Sequence, residues 1–483
     1  MAGRTIVITA AEACPYAYVG DLGTTVSSLA EALSSAGHTV HLFIPRYASV
    51  FSGSRAFTRH EKKLEVRYPG HEYDAALYTD TVSASFHIHA IEHNLFFERD
   101  SIYGPPYSDN CERFSFFSHA LFHALDLLDI KPDIIHCFDW HTALVPVLAR
   151  TLYDTSRIRF AAVVLTIHSI RHTGIFPASA VTVTGLSWDA VTEDNMKYYT
   201  QISLLKGGMQ YADLLSTVSV TYAKDIINPA ESGHLAGIVY AKGIVPVNSG
   251  FSAGGWDPSQ DKKIDALFSM SDMAGKRVCK TALQRHFGLP LDDDAALFGL
   301  TGPFTRENMM PQAARIIGYT AARSRVQFVL MGDGDDDTFL LLEYLNSIMP
   351  DRVHIHRGRD ETLERRILAG SDFMLITPVL EYTGQAHFRA CAYGALPVAS
   401  RTGLLADTLK DCREPSGGNA LLFDRNDPAA LRDTLDAAVS LFHSSDLLHD
   451  TVHRAMNTIR SWSETAREFT SVYSAALERR RNG

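Results

Sequence analysis

Short apolar runs alternate along the chain with longer stretches whose apolar positions recur at helical spacing. Residues 5–10 (Thr-Ile-Val-Ile-Thr-Ala) read as a buried strand. Residues 22–36 carry a helical pattern closed by Gly37, a glycine stop that can take the left-handed conformation at a helix end. Residues 38–44 form the next expected strand. Residues 57–97 break this rhythm: 64–68 and 84–89 alternate in short pieces, which predicts a β-rich insertion. The rhythm then resumes with a helix at 112–128, a strand at 133–138, a helix at 141–152 and strands at 160–168 and 214–218. Strands alternating with helices predict a mainly parallel sheet covered on both faces.

Residues 248–263 are rich in Gly, Ser, Pro and Asp and have the composition of a linker. A second series follows, with strands expected at 296–301, 327–331, 353–356, 373–377 and 396–399 and helical patterns between them. Residues 463–480 read as a long polar helix. There is no repeat at solenoid period and no low-complexity tract. The expectation is an α/β protein of two doubly wound, Rossmann-like domains, with ligands at the C-terminal ends of the strands.

The chain has 483 residues, enough for two ordinary domains with full cores. Its formal net charge is −10, with both signs spread along the sequence. That balance argues against nucleic acid, whose phosphates demand a basic footprint, and against an anionic membrane surface. No stretch approaches the 18 or so uninterrupted apolar residues of a spanning helix. The apolar run near the start is too short for a signal peptide. Six scattered cysteines form no C-x-x-C pair and no zinc spacing, as expected of buried thiols in a reducing compartment. The reading is a soluble, cytoplasmic protein.

Five places carry candidate chemistry. His136-Cys-Phe-Asp139-Trp-His141 closes one expected strand and Leu165-Thr-Ile-His168-Ser the next. The first alone reads equally as a helix cap by Asp139, and the second alone reads more readily as a structural histidine, but His136, Asp139 and His168 on successive strand ends suggest a shared site. Asp333-Gly-Asp-Asp-Asp337 has the oxygen ligands of a Mg²⁺ or Ca²⁺ loop. Its place at a helix start favours the alternative, carboxylates held by the helix dipole without metal. Glu381-Tyr-Thr-Gly384 before a helix and Arg401-Thr-Gly403 after a strand offer free backbone N–H groups suited to a diphosphate.

The order of these motifs resembles bacterial glycogen synthases and plant starch synthases, retaining GT-B transferases of glycosyltransferase family 5 that use ADP-glucose. The similarity runs nearly the length of the chain. It is carried by Ala11-Glu-Ala-Cys-Pro15, Glu112-Arg-Phe, Asp139-Trp-His, Leu165-Thr-Ile-His168 with Gly174, the stretch from Gly207-Gly-Met to Thr217-Val-Ser219, Trp256-Asp-Pro258, Lys280-Thr-Ala-Leu-Gln284 with Gly288, Tyr393-Gly-Ala-Leu-Pro397 and Arg401-Thr-Gly-Leu-Leu-Ala-Asp-Thr408. The resemblance implies a GT-B fold with an interdomain cleft. The expected domains are 1–247 on the acceptor side, 248–462 on the nucleotide-sugar side, and a helix at 463–483 returning to the first domain. It also implies transfer of glucose from ADP-glucose to the non-reducing end of an α-1,4-glucan with retention, in glycogen biosynthesis. No metal or other cofactor is implied; the partners are a nucleotide sugar and an α-glucan.

Carried over by position, the resemblance makes His168, Glu381 and Asp139 the catalytic set. It makes Tyr18, Gly20, Trp140, His141, Arg306, Thr383, Gly384, Thr402 and Gly403 substrate-binding, and likens residues 103–109 to an acceptor loop. It also exposes departures. The family's Lys-x-Gly-Gly-Leu loop reads Tyr18-Val-Gly20-Asp-Leu22 here. Pro303 and Asn308 stand where the family places an arginine and a lysine on the diphosphate, with Arg306 displaced by three residues. Leu404 replaces the second glycine of the Thr-Gly-Gly loop. These losses predict an impaired transferase, or alternatively an inactive homologue that binds glucan or a protein partner.

Overall fold

The computed structural model describes residues 3–47, 57–99, 101–103, 108–155, 157–252, 255–380 and 385–482. The chain forms two compact units. Unit 1 holds Met1–Gly250 and Trp462–Gly483, and unit 2 holds Phe251–Ser461.

The strands of unit 1 are β1 (Thr5–Thr9), β2 (Thr39–Pro45), β3 (Thr58–Arg59), β4 (Leu64–Tyr68), β5 (His71–Ser83), β6 (Phe86–Glu92), β7 (Ile134–Phe138), β8 (Ala162–Ile167), β9 (Ile175–Pro177), β10 (Lys197–Tyr198), β11 (Gln201–Ser203), β12 (Leu214–Thr217) and β13 (Val245–Pro246). Among the described residues the main sheet runs β13-β12-β8-β7-β1-β2-β6-β5-β3, with β4 paired to β5. Its central pairs are parallel, as the alternation predicts. The apolar runs of β1, β7 and β8 are buried along nearly their whole length because helices cover both faces.

The expected insertion at 57–97 is corrected here. β6 pairs in parallel with β2 and antiparallel with β5, so this segment extends the main sheet. Its alternation, clearest in β4, marks outer strands with one face toward solvent. The small sheet β10-β11-β9 was not legible, because strands of two or three residues carry no period.

Helix Trp462–Asn482 packs on unit 1, where Trp462, Ala466, Phe469, Val472, Tyr473 and Ala476 join the core. Arg4 hydrogen-bonds the Thr470 carbonyl and the Ser474 hydroxyl. The helix is polar in sequence because only one stripe is buried.

Unit 2 contains β14 (Ala296–Thr301), β15 (Val326–Gly332), β16 (Val353–Arg357), β17 (Phe373–Ile376), β18 (Leu396–Arg401) and β19 (Leu421–Asp424), in the order β16-β15-β14-β17-β18-β19, all parallel. The linker reading of 248–263 holds only for composition. Asp261 is buried and accepts hydrogen bonds from Arg365 at 3.0 Å and from the Tyr393 hydroxyl. The Trp256 ring lies 4.1 Å from the Arg365 guanidinium and 4.7 Å from that of Arg389. Trp256 and Asp261 are thus packed parts of unit 2.

Histidines gather on neighbouring strands of unit 1. His41 Nδ1 meets His89 Nε2 at 3.0 Å, and the Thr79 hydroxyl contacts His89 Nδ1 at 2.8 Å and His60 Nε2 at 2.9 Å. The His87 ring stacks on His41 at 5.1 Å. Burial, then the charge of His87, pushes His41 down to about 4, and burial pushes His89 well below its ordinary range. A histidine depressed in the folded state is protonated first in the unfolded one. Its contribution is therefore complete above pH 6.5 and is lost as pH falls toward 4. His41 alone should remove about 3 kcal/mol across that window. Urea unfolding at pH 7 and pH 4.5 checks this: His41→Gln should lose less stability than the wild type on acidification, and equal losses would overturn the account.

Candidate active site

In unit 1 the chain order reverses at β1, with β7 on one side and β2 on the other. Doubly wound sheets bind ligands beyond the C-terminal ends of strands at such a reversal. The loops after β1, β7 and β8 lie there, and they carry most of the unit 1 residues named from sequence.

β7 ends at Phe138, and Asp139 turns the chain through a left-handed conformation at φ +54° into the helical turn Asp139–Thr142. Aspartate tolerates this region better than most side chains do. Asp139 Oδ1 accepts the backbone N–H groups of His168 at 2.8 Å and Ser169 at 3.2 Å, tying the end of β7 to the end of β8. Burial pushes the Asp139 carboxyl up to about 6, opposed by these two donors. Burial pushes the His168 imidazole down to about 4. The 3.7 Å approach of His168 Nδ1 to Asp139 Oδ2 is thus a contact between a carboxylate and a neutral ring at pH 7, not an ion pair. His168 Nδ1 has no hydrogen-bond partner among the described residues. The site is a buried neutral imidazole with spare hydrogen-bonding capacity beside a carboxylate that ionises near neutrality.

Trp140 and His141 flank this pair. The Trp140 ring packs near Phe114, Phe176 and His141. Gly174 follows β8 at φ +56°, and a Cβ there would meet the Trp140 ring at 2.7 Å, so only glycine lets the loop cross the indole. His141 lies 4.7 Å from the Tyr103 ring and is held neutral by burial.

The loop after β1 brings up Tyr18 and Gly20. Tyr18 is 47% exposed. Gly20 caps helix Asp21–Ser35 in extended conformation. Asp21 sits in the first turn, where the dipole favours an anion, so a carboxylate occupies the end that would otherwise attract phosphate.

His136 is corrected. It lies inside β7, fully buried, bonded to the Thr166 hydroxyl at 2.6 Å and the Tyr473 hydroxyl at 2.9 Å. It fastens the last helix to the sheet and does not join Asp139 and His168. Three groups at this edge were given no role from sequence. Glu12 accepts the amides of Val19 and Gly20. Ser169 bonds His172 Nδ1 at 2.8 Å, and the His172 charge acts on both Asp139 and His141. Glu12 lies in a matched motif, which was its only signal. Ser169 and His172 had none beyond nearness to His168.

In unit 2 the reversal falls between β14 and β17. After β14 the chain passes through Gly302 and exposed Pro303 to Phe304, which is buried beneath the β15 loop. Phe304 exchanges backbone hydrogen bonds with Asp333 and Asp335. A Cβ on Gly332 would stand 1.9 Å from the Gly302 carbonyl and one on Gly334 would stand 2.1 Å from that of Phe304, so both positions require glycine. The carbonyls of Glu307 and Asn308 accept hydrogen bonds from Val379 N–H at 2.9 Å and the Thr377 hydroxyl at 2.6 Å. The Asn308 amide turns back onto Thr305 at 2.9 Å.

Arg306 is exposed on this turn and lines a groove of about 740 Å³ with Arg315, Asp335, Asp336, Asp337 and Thr338. Asp335 stands at the N-cap position of helix Asp336–Ile348 without a side-chain cap bond, Asp336 and Asp337 fall in the first turn, where the dipole favours anions, and Asp336 pairs with Arg357 at 2.6 Å. Among the described residues no cluster of three or more His, Cys, Asp or Glu could hold a metal ion.

Thr402 and Gly403 follow β18, both buried, with the Thr402 hydroxyl unpartnered among the described residues. Glu381, Thr383 and Gly384 lie outside the described residues. No helix among the described residues is long and apolar enough to cross a membrane.

Two doubly wound α/β units with polar residues at their strand C-terminal ends are the architecture of the GT-B fold. The family described as starch synthase catalytic domain matches residues 5–241. A glycogen synthase of Geotalea daltonii is 31% identical over 482 residues, covering 98% of this chain and 99% of that one. Glycogen synthase 2 of Geobacter sulfurreducens is 31% identical over 486 residues, covering 99% of each. The solved catalytic domain of starch synthase IV from Arabidopsis thaliana, bound to ADP and acarbose, is 27% identical with a TM-score of 0.91, covering 99% of this chain and 100% of that one. The chain belongs to the glycogen and starch synthase family, glycosyltransferase family 5.

Proposed function

We propose that this protein transfers glucose from ADP-glucose to the 4-hydroxyl at the non-reducing end of an α-1,4-glucan, with retention of configuration and at a reduced rate. The observation that carries this reading is the Asp139–His168 pair at the ends of β7 and β8, in a chain similar to glycogen synthases throughout. The ADP and acarbose bound to the similar starch synthase support the donor and the glucan. A neutral, buried His168 suits hydrogen bonding to a sugar hydroxyl. Asp139 holds the His168 backbone in place and adds negative charge near a sugar that becomes cationic. In the reaction the bond from glucose C1 to the diphosphate oxygen breaks, a bond from C1 to the acceptor oxygen forms, and the acceptor proton leaves with the phosphate.

The reduced rate follows from charge. The leaving diphosphate needs preorganised donors, each worth about 3–4 kcal/mol in the transition state. Tyr18, Pro303 and Asn308 supply no cation, while Arg306 and Thr402 remain available. Radiolabelled ADP-glucose and UDP-glucose, each with a glycogen primer, test the reading. Slow incorporation from ADP-glucose is expected, and none above blank at high enzyme concentration would end it. The same three positions favour a second reading, a non-catalytic glucan binder. Calorimetry separates the two: the second predicts maltooligosaccharide binding without nucleotide-sugar binding.

A further inference from the structure

Glu12 is 2% exposed in the turn that follows β1. One of its carboxylate oxygens accepts the amides of Val19 at 2.7 Å and Gly20 at 3.2 Å, and the other accepts the Tyr103 hydroxyl. Gly23 makes this closure possible, since a Cβ there would stand 2.6 Å from Tyr18 Cβ and 3.3 Å from Glu12 Cβ. Tyr103 in turn lies against His141, and His141 lies 4.1 Å from Trp140. The segment before Tyr103 is held from below: the buried Arg113 guanidinium donates to the carbonyls of Phe96 and Ile102.

One carboxylate therefore fastens its own loop to Tyr103, 91 residues further along the chain. The first loop presents Tyr18 and Gly20; the second presents Tyr103 beside His141. Burying a carboxylate is unfavourable until its partners are counted. All three partners of Glu12 are donors supplied by the two loops rather than by the sheet. A hydrophobic side chain of similar size would pack this turn at lower cost, but it would leave the loops independent.

We infer that Glu12 is a positioning residue that couples the nucleotide-sugar loop at 18–20 to the acceptor segment at Tyr103, so that a ligand on one loop favours a ligand on the other. This rests on the roles given to those loops under the proposed function. Coupling of this kind is reciprocal and typically amounts to a factor of about 5–150 in affinity.

The test is calorimetric titration of the full chain with ADP, and with maltohexaose, each with and without the other. The wild type should bind each ligand at least about 5-fold more tightly in the presence of its counterpart. Tyr103→Phe, which removes only the hydroxyl, should bring that factor to about one, as should Glu12→Gln, and the double variant should lose nothing more. A merely structural Glu12 would lower thermal stability and leave the factor intact, and that result overturns the inference, as does a wild type that binds both ligands independently. If the wild type binds neither ligand, the proposed function fails first. The clamp is then read by amide hydrogen exchange: Tyr103→Phe should speed exchange at Val19 and Gly20 several-fold, and unchanged rates overturn the clamp itself.

Discussion

Replacing Tyr18 by Lys, Pro303 by Arg and Asn308 by Lys together is expected to raise kcat/KM for ADP-glucose by at least about 10²–10³. One preorganised donor to a developing anion is worth that factor. Contributions of several donors do not multiply, so the single-donor range is the floor. The scaffold can accept the changes. Tyr18 is 47% exposed, and Pro303 is exposed on a turn set by Gly302 and buried Phe304. Asn308→Lys gives up one local hydrogen bond to Thr305, about 1 kcal/mol. Steady-state kinetics of the triple variant against wild type would show the gain, chiefly in kcat if the new cations act on the transition state. A triple variant no faster than wild type would mean that charge on the leaving group is not the limiting defect. Arg306→Ala in the wild-type background should then cost little; a large loss would identify Arg306 as the cation already in use.

Asp139→Asn should make the protein more stable and the enzyme worse. The Asp139 carboxyl is raised from 3.8 to about 6, chiefly by burial. A raised carboxyl means the folded state holds its proton more tightly than the unfolded state does. Above pH 6 the ionised folded state carries the full penalty, about 3 kcal/mol, and below 3.8 the penalty is gone. Asparagine carries no charge at any pH, and it tolerates the left-handed backbone at this position. Its side-chain oxygen can keep accepting the His168 and Ser169 amides, and its NH₂ can reach toward the unpartnered His168 Nδ1. At pH 7 the variant should gain about 1–3 kcal/mol in urea unfolding, with the gain shrinking as pH falls from 6 toward 4. Glucosyl transfer should fall by about 10²-fold or more, the trade expected where function demands a buried charge. A variant less stable than wild type at pH 7 would show that ionised Asp139 costs the fold nothing.

The βαβ rhythm was legible because a strand buried on both faces must be apolar throughout and its covering helices must be striped. The outer strands around residues 57–97 were visible as β structure. Their place beside β2 was not, because an alternating strand fits an independent hairpin and a sheet edge equally well. The segment at 248–263 misled for a related reason. Composition records its Gly, Ser and Pro, whereas Asp261 and Trp256 find Arg365 and Arg389 more than a hundred residues away in sequence.

The site divides along the same line. Asp139 and His168 stood out because each follows an apolar strand, and strand ends are where a doubly wound sheet displays its polar groups. His136 shared that signal and proved to be a buried bond to Tyr473, a partner 337 residues away that no local pattern announces. Glu12 sat unremarked in a matched motif, since a carboxylate reveals its role only through the donors that converge on it.

The amino-acid order by itself determined the two doubly wound units and the family, because strand and helix periods and motif order are local properties. Tertiary structure alone decided that Asp139 ionises near neutrality while His168 stays neutral, that His136 belongs to the core, and that one buried carboxylate binds two loops together. Those outcomes depend on desolvation and on contacts between distant segments, and neither exists until the chain has folded.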